Sequence, residues 1–339
     1  MQLPKPYLLF LADGSSLAQC KTAAGLRDWC PHDVLGQFAM ESCRVDLGLP
    51  RLTPAAAAAA GARSLVIGVA PVGGAIPPRW VPALLEALEA GLDLVSGMHT
   101  RLSALPAVAA AAKRLGRSLF DVRHSDQVYT AATGARRSGR RALTVGMDCA
   151  IGKKYAALEL TRALRERGMP ATFRATGQTG IMIAGAGLAI DAVVADFIAG
   201  AAEALSPAAA ADHWDVIEGQ GALFHPAYGG VTLGLVHGSQ PDAMVLCHDP
   251  LRTHIEEYPH HPLPTLQSAM DQYLCAAHVT NPAARFVGIS LNTSGLDPER
   301  RMRVMHGLEA QFDLPVIDPM QDGAGRIAAA MLRDYRHIS

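Results

Sequence analysis

Short apolar runs alternate with segments of helical period along this chain, in two successive blocks. In the first block, YLLFLA (7–12) reads as a strand and 15–29 as a helix. SLVIGVA (64–70) gives a second strand, followed by Gly73-Gly74 and a helix around 80–91. LDLVSGMH (92–99) gives a third strand, and a helix over 104–115 leads to a further strand, SLFDVRH. The tract PAAAAAAGA (54–62) favours helix and carries no chemistry. Apolar runs of this length between helical segments predict parallel strands covered on both faces.

The alternation stops at AATGARRSGRR (131–141), a small, polar, basic stretch that reads as a linker. It then restarts. ALTVG (142–146) predicts a strand and 152–167 a helix, which ends at Gly168-Met169-Pro170. PATFRAT, WDVIEG, DAMVLCHD, ARFVGISLN and PVIDP predict further strands, separated by helices around 189–204, 264–278, 298–312 and 323–335. The expectation is an α/β protein of two domains, 1–135 and 140–339, the second doubly wound. In such sheets ligands sit at the carboxyl ends of the strands.

Composition narrows the function classes. Of 339 residues, 50% are apolar and 18% charged, enough for large cores. The net charge is −1 with Lys and Arg scattered, so no basic stripe suggests nucleic acid or an anionic membrane. Six cysteines are widely spaced without a CxxC pair, which argues against a disulfide framework or zinc ribbon and for a reducing cytoplasm. MQLPKPYLLFLADGSS reads as a first strand rather than a signal peptide. The most apolar long segment, 181–205, is interrupted by Asp191 and Asp196. It therefore predicts a core or interface helix rather than a membrane span, and a homo-oligomer is expected.

The chemistry gathers at predicted strand ends. Gly146-Met147-Asp148-Cys149-Ala150-Ile151-Gly152-Lys153 places a glycine turn and a lysine between a strand and a helix. Backbone N–H groups there point at an anion, and the lysine adds a point charge. The glycines are separated by five residues where the Walker spacing has four, and Lys154 stands where a nucleotide hydrolase has Ser or Thr. The loop is thus expected to hold phosphates, through Gly146, Asp148, Cys149, Ala150, Ile151, Gly152, Lys153 and Lys154, without a magnesium hydroxyl.

Other strand ends supply Arg174, Gln178 and Thr179 from RATGQTG, Ser239 and Gln240 from HGSQPDA, and Arg252 after CHDP. These are candidates for binding substrate, the arginines through carboxylates. Glu218, flanked by glycines after WDVI, is the first candidate for a general base, with His225 and His248 next. Cys149 near a helix start is either a nucleophile or a small packing residue. The thirteen histidines show no metal spacing, and no metal is expected. No GxGxxG with its downstream acid occurs, so a dinucleotide does not follow.

Taken in order, GMDCAIGK, RATGQTGI, DAVVADFIAGAAE, IEGQGALFHPAYGGVTLGLVHGSQPDA and VLCHDP resemble one bacterial family along nearly the whole chain, the DgcN-type D-glutamate N-acetyltransferases. The resemblance implies a Rossmann-like N-terminal domain, a P-loop NTPase-like C-terminal domain, and acetyl transfer from acetyl-CoA to the amine of D-glutamate. The family carries Thr where this chain has Met147, and a Met-Thr or similar pair in place of Lys154-Tyr155. Gly152 and Lys153 are kept, so anion binding is expected to survive, and coenzyme A is a phosphate-rich ligand free of magnesium. Direct transfer with Glu218 as base is the expected mechanism. The rival is an ATP- and Mg²⁺-dependent ligase or kinase on the dethiobiotin-synthetase plan, with Asp148 and Glu218 on the metal. A ligand-sensing module without turnover is the third alternative.

Overall fold

The structure, a computed structural model, describes residues 3–17, 19–124 and 127–335. The chain forms two compact units, Met1–Asp126 with Gly177–Ala189, and Gln127–Thr176 with Ile190–Ser339. The expected division at 135/140 thus falls earlier, and a short segment of the second half joins the first.

The N-terminal unit is a five-stranded parallel sheet. Its strands are β1 (Tyr7–Ala12), β2 (Val34–Ala39), β3 (Ser64–Ile67), β4 (Asp93–Ser96) and β5 (Leu119–Asp121), in the order β2-β1-β3-β4-β5. Its helices are α1 (Lys21–Trp29), α2 (Pro54–Ala59), α3 (Val81–Glu89) and α4 (Pro106–Leu115). The helix expected over 15–29 begins at Lys21, and Ala18 lies outside the described residues. β2 escaped the apolar pattern because it is an edge strand with only Gly36 and Gln37 buried. Thr53 caps α2 by accepting the Ala56 N–H at 3.2 Å, with Pro54 opening the helix.

The C-terminal unit holds β6 (Arg140–Gly146), α5 (Lys153–Glu166), β7 (Ala171–Arg174), α7 (Ile198–Leu205), β8 (Trp214–Ile217), α8 (Gly229–Ser239) and β9 (Ala243–His248). It continues with the hairpin β10 (His254–Ile255) and β11 (Tyr258–Pro262), then α9 (Leu266–His278), β12 (Arg285–Leu291), α10 (Pro298–Phe312), β13 (Val316–Ile317) and α11 (Gly325–Tyr335). The short helix α6 (Gln178–Ala184) belongs to the N-terminal unit, where it packs on α1. Six parallel strands run β13-β12-β9-β6-β8-β7. The chain leaves β6 toward β8 and β7 on one side, then continues with β9, β12 and β13 on the other. The carboxyl end of β6 is therefore the point where the winding reverses, the crevice in which such sheets bind ligands.

Two helical expectations change. The stretch 189–204 is not one helix. It makes two short 3-10 turns, Ile190–Ala192 and Ala195–Phe197, before α7, and the exposed Asp191 and Asp196 sit one in each turn. α8 was hidden by its four glycines at 229, 230, 234 and 238. Two of these let α7 and α8 touch: a Cβ on Gly238 would lie 2.0 Å from the Ala199 carbonyl oxygen, and one on Gly234 2.6 Å from Ile198 Cγ2. Trp214, Val216, Leu160, Leu164, Ile327 and Met331 form part of this unit's core. Among the described residues no helix is long and apolar enough to cross a membrane.

The glycine crossing gives a test. Gly238→Ala should destabilise the protein by about 1–3 kcal/mol in urea unfolding, because backbone must move to admit the methyl. Gly307→Ala, mid-α10 with nothing within 4 Å of the added methyl, should stabilise by about 0.5–1 kcal/mol.

Candidate active site

The loop from Met147 to Gly152 joins β6 to α5, and its backbone is unusual. Ala150 has φ 52° and Gly152, the N-cap of α5, has φ 103°. Gly152 has no side chain to cap the helix, α5 has no acid in its first turn, and its first two residues are Lys153 and Lys154. Cations at the positive end of a helix are each unfavourable by about 0.3–1 kcal/mol, and here no side chain caps the helix start. An anion at this helix start answers both.

Lys153 is 7% exposed. Its stem passes Gly146 and Gly219, where added Cβ atoms would meet Lys153 Cδ at 3.3 and 3.1 Å. A Cβ on Gly219 would also stand 1.7 Å from the Thr144 carbonyl oxygen. Nζ donates to the Asp148 carbonyl at 2.6 Å. Burial pushes the lysine pKa down, against the pull of Cys149, Cys247 and Asp148. Lys154 Nζ lies 4.5 Å from the ring centroid of Tyr155.

Asp148 is fully buried and its carboxylate is met on both oxygens. Oδ1 accepts the Cys149 N–H at 2.6 Å, while Oδ2 accepts Arg252 Nη1 and the Glu256 N–H, each at 2.8 Å. Arg252 Nη1 also donates to the Cys149 carbonyl at 2.8 Å. The loop is thus clamped to segment 252–256, which leads into the β10–β11 hairpin. From the other side the Tyr273 hydroxyl, on α9, donates to the Gly146 carbonyl at 2.8 Å and accepts the Leu223 N–H at 3.3 Å.

His225 completes a cluster. One of its ring nitrogens, Cys149 Sγ and a carboxylate oxygen of Asp148 all lie within 4.8 Å of one another. Nδ1 of His225 accepts the N–H groups of Ala227 at 3.1 Å and Tyr228 at 3.3 Å. Backbone N–H groups only donate, so Nδ1 carries the lone pair and Nε2 the hydrogen. Burial lowers the histidine's pKa, which favours the neutral ring. The ring stacks on Tyr228 at 4.4 Å and meets the edge of Tyr258 at 5.1 Å. Asp, Cys and His together are donor types for a divalent metal. Against that use, Nδ1 is occupied by backbone, Nε2 is protonated, and Arg252 already neutralises the carboxylate.

The remaining candidates separate. Glu218 is buried at the carboxyl end of β8, beside the loop's strand, and its Oε2 accepts the Thr176 N–H at 3.1 Å. His248 ends β9 on the same edge, with a buried Nδ1 that has no hydrogen-bond partner among the described residues. Arg174 turns back along the sheet and pairs through Nε with Asp215 Oδ1 at 2.8 Å, so it serves the fold rather than an open pocket. Gln178 and Thr179 open α6 in the N-terminal unit. There Arg123 Nη2 donates to Gln178 Oε1 at 2.7 Å, and Thr179 Oγ1 lies 2.9 Å from Thr22 Oγ1.

Ser239 and Gln240 are a correction. They end α8 and precede β9, which puts them at the amino edge of the sheet, opposite the loop. Both are fully buried, and Arg137 Nη2 holds the Gly238 carbonyl at 2.6 Å beside them. They do not belong to this site. Tyr228, Tyr258, Tyr273 and Glu256 were not foreseen. Their roles arise from ring contacts, a hydroxyl bridge to loop backbone and a backbone N–H, which single residue types do not announce.

Two family models match the chain. A domain of unknown function, DUF1611_C, described as a P-loop domain, matches residues 129–328, and DUF1611_N, described as a Rossmann-like domain, matches 35–125. The chain is 48% identical over 326 residues to a protein of Tritonibacter scottomollicae named D-glutamate N-acetyltransferase, covering 96% of this chain and 98% of that one. It is 43% identical over 329 residues to a Pseudoalteromonas protein of the same name, covering 97% and 99%. The crystal structure of a DUF1611 family protein from Anabaena variabilis superposes with a TM-score of 0.89 at 34% identity, over 97% of this chain and all of that one.

Asp148→Asn leaves Arg252 in a largely buried position without its counter-charge. It should lower stability by about 3 kcal/mol in urea unfolding, and by less when Arg252→Met accompanies it. A second expectation concerns pH. Burial lowers the His248 pKa from 6.5 to about 4. Between those values the unfolded chain binds the proton and the folded chain does not, so stability falls as pH drops through this window and is level above it. His248→Phe should show a smaller loss of unfolding free energy than the parent on going from about pH 7 to about pH 5.

Proposed function

This chain belongs to the DUF1611 family, and from that premise we propose that it is an N-acetyltransferase moving an acetyl group from acetyl-CoA to the amine of D-glutamate, giving N-acetyl-D-glutamate. The relatives of that name extend over nearly the whole chain, which supports both the reaction class and the substrate. The observation that supports the choice of donor is the start of α5, where no side chain caps the helix, no acid stands in the first turn, and the first two residues are lysines. Coenzyme A brings a diphosphate to such a site and needs no metal hydroxyl there. Ala150, Ile151 and Gly152 supply backbone to it, and Lys153 and Lys154 supply charge.

The nucleophilic amine must lose a proton before it attacks. Glu218, buried at the neighbouring strand end, is our base for that step. Arg252 has one nitrogen on Asp148, and the rest of its guanidinium is our candidate for a substrate carboxylate. Arg174 is not carried into this scheme because Asp215 holds it. All six cysteines are free of disulfides, consistent with a cytoplasmic enzyme. The small amino acid is the partner we propose, with a homo-oligomer as the assembly.

The test is a panel of D and L amino acids with acetyl-CoA, following thiol release with and without Mg²⁺. D-glutamate should be acetylated in preference to L-glutamate and without need of Mg²⁺. Turnover that requires ATP and Mg²⁺ would replace this reading with a ligase or kinase. Glu218→Gln should lower kcat by about 10²–10⁴ while leaving the KM for acetyl-CoA nearly unchanged.

A further inference from the structure

The group formed by Asp148, Cys149 and His225 has one reactive member that solvent reaches. Asp148 is fully buried and His225 is 4% exposed, whereas Cys149 is half-buried. Asp148 already accepts three donors and is neutralised by Arg252, so a further role as base or ligand would compete with them. His225 cannot accept a proton at Nδ1 without losing two backbone hydrogen bonds, and its other nitrogen already bears hydrogen. What His225 can do is donate from Nε2. A ring nitrogen of His225 lies within 4.8 Å of the sulfur, the buried Lys153 feels the charge of Cys149, and Arg252 holds the Cys149 carbonyl at the loop that leads into α5. That is the kind of setting in which thiolates are stabilised and act as nucleophiles.

We propose that Cys149 carries the acetyl group as an enzyme thioester between acetyl-CoA and the amine. The inference rests on the acetyl-transfer reading above and adds the route that the group takes. In the first half, Cys149 Sγ attacks the thioester carbonyl carbon. The Sγ–C bond forms, the coenzyme A S–C bond breaks, and the thiol proton goes to the departing coenzyme A sulfur. In the second half, the amine, already relieved of one proton by Glu218, attacks the same carbon. The N–C bond forms, the Sγ–C bond breaks, and a proton of the attacking nitrogen returns to Sγ. His225 Nε2–H donates to the carbonyl oxygen as it gains negative charge in each half. A thioester is exchanged for a thioester and then for an amide, so no further reactant is needed.

The experiment uses the full-length protein with acetyl-CoA and no amine, followed by acid quench, intact mass measurement and peptide mapping. The expected result is one acetyl group per chain on Cys149, with exchange of labelled coenzyme A into acetyl-CoA. Initial velocities with D-glutamate should give parallel double-reciprocal lines. Cys149→Ala should abolish the label and the exchange and lower kcat by about 10³-fold or more. His225→Gln, which keeps an N–H donor, should retain more activity than His225→Leu. An unlabelled enzyme that forms N-acetyl-D-glutamate with intersecting lines, and whose Cys149→Ala variant keeps full kcat, would overturn the inference while leaving the acetyl-transfer reading intact. A labelled Cys149 in a protein that acetylates no amino acid would support the inference and remove D-glutamate as substrate. Neither label nor product would remove both.

Discussion

The carboxylate of Asp148 is the point on which the candidate site depends. A buried negative charge is tolerated only when donors surround it. Here the donors come from two places in the chain, the N–H of the next residue and the segment carrying Arg252 and Glu256. Satisfying the charge therefore fixes the loop against the hairpin segment. It also fixes the Asp148 carbonyl, to which Lys153 is tied, and the position of Cys149 beside His225. The loop's own carboxylate orients Arg252, and the Asp148 carbonyl orients Lys153.

Much of the architecture was legible in the sequence, and the reasons are local. α10 spans the expected 298–312 because Asp297 caps it, accepting the Arg300 N–H at 2.8 Å, and Pro298 opens it. β1 spans the expected 7–12 because all six of its residues are buried, which writes an uninterrupted apolar run. The glycine–lysine loop was visible because strand, turn and helix follow one another directly. β2 and α8 were not, since one is a half-exposed edge and the other is rich in the residue that ordinarily ends helices.

The site was legible only where it is contiguous. Residues 146–154 share one turn, so their order in the chain is their order in space. Ser239 and Gln240 were assigned to the ligand side because they are polar and near glycine. In a parallel sheet, however, a segment that precedes a strand lies at the edge opposite to one that follows it. Arg174 follows its strand, yet the two-residue repeat of the sheet lays its side chain on the same face as Asp215, which captures it. The state of His225 depends on two N–H groups from its own turn, and its closeness to Cys149 on a distant segment. Neither is a property of residue type or spacing.

The segment Gly177–Ala189 has a bearing on how this protein is made. The N-terminal unit is written in two pieces, the second lying beyond the strand and helix that open the other unit. On the ribosome, domains ordinarily close as they emerge. Here α1 must wait, with Thr22 lacking Thr179 and its covering helix, until residues far downstream have been synthesised. A fragment cut at Asp126 would keep all five strands of the first sheet and still lack part of its cover. The first unit can close only once Ala189 has been made, with β6, α5 and β7 of the other unit already synthesised.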